Sequence, residues 1–97
     1  MVVGISTFEL HLPGSRGLKE KRKVVKGLIE RLHARYRISI AETAHHDLLQ
    51  RAEISLAIVA QDESELEHLF DELRAAIDSI GPEAVLSFWD PQILEAR

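Results

Sequence analysis

Apolar and polar residues alternate along the first part of the chain. Between Val2 and Leu12, Phe8, Leu10 and Leu12 fall on one side and Thr7, Glu9 and His11 on the other. A period of two with one apolar side predicts a half-buried strand. The run Pro13-Gly14-Ser15-Arg16-Gly17 then breaks it. From Leu18 the period changes. Leu18, Val25, Leu28, Ile29, Leu32 and Tyr36 recur at three- and four-residue spacing, which predicts a helix to Arg35 with one apolar stripe. Ser15 or Gly17 is the expected cap. Gly27 sits mid-helix at a cost of about 1 kcal/mol relative to alanine, and a close helix–sheet contact is the simplest reason for it.

Alternation returns from Arg37 to Thr43, with Ile38 and Ile40 inward. The stretch 44–51 reads as a connection with room for a helical turn. The clearest strand is Ala52 to Ala60, where Ile54, Leu56 and Ile58 face the core and Glu53, Ser55 and Ala57 face away. A second helix opens at 61–64 with Asp62 as N-cap. Its stripe is Leu66, Leu69, Phe70, Leu73, Ile77 and Ile80, and Gly81-Pro82 stops it. Ala84 to Asp90 predicts a last strand, ended by Pro91, with a short tail over about 91–97. The order strand, helix, strand, strand, helix, strand is the split βαβ arrangement. It makes residues 1–97 one α+β domain with both helices on one sheet face.

Charge changes the picture more than composition does. The net charge is −4, yet residues 16–37 hold nine basic and two acidic side chains and carry +7, while the remainder carries −11. Local fields of this kind, more than the net sum, steer a charged partner. Cysteine is absent, which excludes disulfides, thiolate catalysis and cysteine metal sites and fits a cytoplasmic protein. No apolar run is long enough for a transmembrane helix, and the N-terminus does not read as a signal peptide. No nucleophile elbow, Walker-type loop or dinucleotide fingerprint is present, so neither an enzyme nor a cofactor is expected.

Three stretches carry a resemblance. They are Glu9-Leu10-His11-Leu12-Pro13-Gly14, Leu18-Lys19-Glu20-Lys21-Arg22, and Ile38-Ser39-Ile40-Ala41-Glu42 followed by Asp47-Leu48-Leu49-Gln50-Arg51-Ala52. Together they resemble the YlxP-like family of small bacterial proteins, over about residues 2 to 90. The chain departs from that family at Leu49, where a tryptophan is typical. The resemblance implies a ferredoxin-like fold, a four-stranded antiparallel sheet with two helices on one face, and no established activity. It also implies a setting near RNA or the ribosome, since such proteins are often encoded beside translation initiation and ribosome-maturation factors.

The candidate polyanion site is Arg16, Lys19, Lys21, Arg22, Lys23 and Lys26. Cations crowded at a helix N-terminus oppose the macrodipole, and like charges at i,i+4 repel, each by a few tenths of a kcal/mol. Local stability did not select that pattern, so an anionic partner is the better reason for it. Gly14, Ser15 and Gly17 would add a phosphate-binding turn at the same helix end. The plainer reading is a solvated face.

The polar cluster Glu42, Asp47, Gln50 and Arg51 reads first as a structural ion-pair group, with Glu42 pairing Arg51 or Arg22. His45-His46-Asp47 invites a metal, but adjacent histidines usually point apart and Zn²⁺ needs three or four convergent ligands. No metal site is therefore expected. Base readout over the open sheet face looks poor, because only Trp89 could stack there, and its other places are the core or an interface. The expected function is a non-enzymatic RNA- or ribosome-associated factor. The alternative is a homodimer or protein-interaction module that uses the open face through Val3, Ile5, Ala41, Ala57, Val59, Val85 and Trp89. No membrane partner is expected.

Overall fold

Six elements form where the two periodicities place them. The computed structural model describes residues 1–95. It contains β1 (Val2–His11), α1 (Leu18–Arg35), β2 (Ser39–Ala44), β3 (Arg51–Ala60), α2 (Glu63–Asp78) and β4 (Val85–Glu95). The strands make one sheet in the order β2-β3-β1-β4, antiparallel throughout. This is the ferredoxin-like α+β architecture. The long β1–β3 pair forms its centre, from Val2↔Ala60 to His11↔Arg51.

The core lies between the helices and one sheet face. Phe8, Leu10, Ala52, Ile54, Leu56 and Ile58 supply the sheet side; Val25, Leu28 and Leu32 from α1 and Leu66, Phe70, Leu73 and Ile77 from α2 supply the helix side. Asp62 caps α2 as predicted, its Oδ1 accepting from the Glu65 N–H at 2.9 Å. Gly81, at φ +91°, turns the chain after α2 into the left-handed region that favours glycine. At Gly4 the missing Cβ matters instead, because one built there would lie 2.8 Å from Phe70 Cζ and 3.0 Å from Leu66 Cδ2. α2 can therefore approach β1 closely at that point. Gly4→Ala is expected to cost about 1–3 kcal/mol by overpacking, read as a lower midpoint in urea unfolding with an unchanged slope.

Three expectations need correction. Pro91 does not end the last strand, and 91–95 is not a tail. β4 runs through Pro91, which pairs with Ser6, to Glu95, which pairs with Val2. β4 is an edge strand, where a residue without an N–H is tolerated. Residues 96–97 lie outside the described residues. Gly27 makes no close helix–sheet contact, since nothing lies within 4 Å of where its Cβ would be. Of the two cap candidates it is Gly17 that holds the N-cap of α1, with no side-chain cap bond, while the Ser15 hydroxyl donates to the Gly17 carbonyl at 3.4 Å. The 45–50 connection contains turns but no helix.

Trp89 belongs to the core side. Its ring centroid lies 5.7 Å from that of Phe8 and 6.2 Å from that of Phe70. The reason is a bulge opposite the Glu9/Leu10 step, which leaves Ser87 extra on β4. It lets Leu86 and Trp89, three residues apart, both turn inward. Phe88 is thereby sent to the open face, where it is 48% exposed.

Candidate nucleic-acid interface

The first turns of α1 carry two kinds of cation. The buried stripe of this helix is Lys21, Val25, Leu28 and Leu32, so Lys21 occupies the inward position one turn before Val25. Its side chain is 1% exposed and its ammonium lies 3.2 Å from Glu42 Oε2. It also donates to the backbone carbonyl of His45. Glu42 Oε2 is shielded from solvent and has no hydrogen-bond partner among the described residues, so the nearby ammonium compensates its charge. Lys21 is thus removed from the polyanion set. It ties α1 to the end of β2 and to the start of the β2–β3 connection, where His45 is held at φ +63°.

Arg16, Lys19, Arg22 and Lys23 differ from it. All four are exposed, and among the described residues none has a carboxylate within ion-pair distance. Lys26 makes one contact, 3.9 Å to Glu30, between two highly exposed side chains. A surface i,i+4 pair of that kind is worth only about 0.3–0.5 kcal/mol and leaves the charge available. The turn before the helix is less open than its glycines imply. The Ser15 N–H donates to the Leu12 carbonyl at 3.2 Å, and the Arg16 N–H donates to Glu20 Oε2 at 3.3 Å. The Ser15 and Arg16 N–H groups are therefore already engaged within the chain, while the four cationic side chains are not.

The polar group around 42–51 is not one cluster. Glu42 lies on the helix side with Lys21. Arg51 lies on the open face and donates to Glu9 Oε1 at 2.6 Å, beside His45 Nε2 at 3.1 Å from the same oxygen. Gln50 donates to the Pro13 carbonyl at 3.4 Å, and its own carbonyl accepts from the Leu12 N–H at 2.9 Å and lies 3.2 Å from His11 Nδ1. Asp47 is exposed and joins none of these. His46 Nε2 lies 3.2 Å from the Glu42 carbonyl, so the paired histidines diverge. Glu9 is the residue that sequence reasoning missed. Its only signal was an acid on the outward side of β1, level with the end of β3.

The Arg51 hydrogen bond, aided by its charge and by His45, holds the Glu9 carboxyl below its ordinary value. A carboxylate with a lowered folded-state pKa stabilises the fold above its unfolded pKa, and that contribution is lost as pH falls through the folded value. Glu9→Gln is therefore expected to lower the melting temperature at neutral pH. The difference from wild type should close at pH values below the ordinary carboxylate range, as followed by thermal denaturation across pH.

Away from its charged end, the open face is largely self-satisfied. Thr43 donates to Glu53 Oε2 at 2.7 Å and lies 2.8 Å from Ser55 Oγ, which lies 3.0 Å from Thr7 Oγ1. Each hydroxyl has one proton, so the chain runs Thr7 to Ser55 to Thr43 to Glu53. This row, with Asp90 opposite Thr7, separates two apolar groups. Val59 and Leu94 flank Val3 at one end, while Phe88 and Val85 pair with Glu9 and His11 at the other.

With this geometry in place, comparison with known proteins adds a family. A family model described as a protein of unknown function, DUF503, matches residues 3–89. The chain belongs to this family. It is also similar to the uncharacterized protein YlxP of Bacillus subtilis (strain 168), with 30% identity over 78 residues, covering 80% of this chain and 85% of that protein. Among the described residues of this DUF503 member, no helix is long and apolar enough to cross a membrane.

Proposed function

We propose that this DUF503 protein is a non-enzymatic factor that binds the phosphate backbone of RNA through the exposed cations of α1. The observation that carries the reading is the state of Arg16, Lys19, Arg22 and Lys23: solvent-exposed, gathered just before and in the first turns of one helix, and, among the described residues, without a carboxylate within ion-pair distance. Repulsion within the set is relieved when phosphates sit among them, and released counterions drive association. The sheet contributes little to base recognition, because its polar side chains are engaged with one another. A ribosomal setting is what the family resemblance adds, and the absence of cysteine fits a cytoplasmic one. Ultraviolet crosslinking in living cells tests the reading. Ribosomal RNA precursors are expected with the wild type and not with an Arg22→Glu/Lys23→Glu variant; equal recovery from both would overturn it.

Self-association through the open face is the second reading. Val59 is 68% exposed, Leu94 50% and Phe88 48%, but the hydroxyl row divides them into two small groups instead of one continuous patch. Sedimentation at micromolar concentration separates monomer from dimer.

A further inference from the structure

We propose that the groove between α1 and the turn leading from α2 into β4 accepts one unstacked base of a single-stranded RNA whose phosphates lie along the α1 cations. The inference rests on the phosphate-binding reading and adds to it a preference for single strands.

The groove encloses about 390 Å³, within the range of about 300–1,000 Å³ typical of small-ligand sites. Its floor is apolar, made by Leu12, Val24, Leu28 and Ile80 around Gly27. Gly27 is the telling residue. A mid-helix glycine is destabilising, and here no packing contact explains it, since a Cβ would meet nothing within 4 Å. What its absent side chain leaves is open space above a helix surface, where a flat ring can lie against Val24 and Leu28.

The rim supplies matching polar groups. Arg31 is exposed and, among the described residues, has no ion pair. Its planar guanidinium can stack on a base. Glu83 offers a carboxylate acceptor for an exocyclic amine. Lys23 belongs both to the exposed cation row and to the groove wall, so a phosphate held by Lys23 delivers its own base inward. The two carboxylates at the groove, Glu20 and Glu83, would repel an anion entering head first. A neutral ring with donors on its edge, tethered to phosphates outside, suits both signs of charge.

The test uses a labelled 12-nucleotide RNA of mixed sequence (roughly one binding-site length) and the same strand annealed to its complement. Dissociation constants are measured by anisotropy for wild type, Gly27→Leu and Arg31→Ala. The wild type is expected to prefer the single strand about tenfold, the scale of one stacked base. In both variants the ratio of the two affinities should fall to near one. Gly27→Leu should melt no lower than wild type, because leucine is the better helix former. Arg31→Ala, at an exposed position, carries the test should the leucine variant fold poorly. A ratio unchanged in Arg31→Ala and in a folded Gly27→Leu would overturn the groove. If binding still depended on Arg22 and Lys23, the phosphate reading would stand without it. A wild type that binds neither RNA overturns both.

Discussion

Replacing Lys21 with methionine is expected to remove about 3–5 kcal/mol of folding stability. The neighbouring cations on the same helix should be nearly indifferent to the same change. The contrast follows from position. Lys21 sits in the buried stripe with Val25 and Leu28, 3.2 Å from Glu42. Removing it leaves a shielded carboxylate without a counter-charge and the His45 carbonyl without its donor. A loss of that size is a large part of the stability of any domain this small, and corresponds to a fall in melting temperature of roughly 15 °C or more. The double variant Lys21→Met/Glu42→Leu should recover most of it, since a buried pair replaced as a whole by apolar groups is often close to neutral. Equilibrium unfolding of the two single variants and the double variant measures the coupling directly. A Lys21→Met variant as stable as wild type would show that the pair does not hold α1 to β2.

The second large effect is on binding. Arg22→Glu/Lys23→Glu is expected to weaken RNA affinity at least about tenfold near 0.1 M salt, because each lost phosphate contact forgoes its counterion release. Folding should be unharmed. Both side chains are exposed and, among the described residues, make no ion pair, and acids toward the N-terminus of a helix are favourable to its dipole. Stability is expected to stay within a few tenths of a kcal/mol of wild type, or to rise as like-charge repulsion is relieved. A fluorescence titration paired with a melting curve on the same sample reads both. Any variant that also alters Lys21 would confuse the two effects, since it would lose binding by unfolding.

Lys21 also shows how far residue order alone reaches. Its helical register was legible, because position 21 is one turn before Val25, and the inward parity of Glu42 with Ile38 and Ile40 was legible too. Their pairing was not, because it depends on how α1 lies across β2. A lysine amid five other cations also reads as solvent-facing. The Glu9–Arg51 contact was hidden for a related reason. The β1–β3 register that makes His11 and Arg51 neighbours is a long-range fact, set by the hydrophobic faces of both strands together.

The last strand misled twice, and both errors have local causes. Pro91 is a stop signal in a central strand but is tolerated on an edge, and edge status follows only from the full strand order. The bulge at Ser87 resets the alternation, so Val85 and Trp89, which share a parity in the sequence, lie on opposite faces. The helices and the central strands carried enough periodicity to be read without the structure. Gly27 was visible as an anomaly in α1, but only the empty space above it distinguishes a groove from a tight contact.

The most direct measurement is the affinity of the wild-type protein for single-stranded RNA over a series of salt concentrations. Four free cations should give a logarithmic slope of about −3, near −0.7 for each phosphate neutralised. Affinity that does not change with salt would mean that the exposed face of α1 does not meet phosphate.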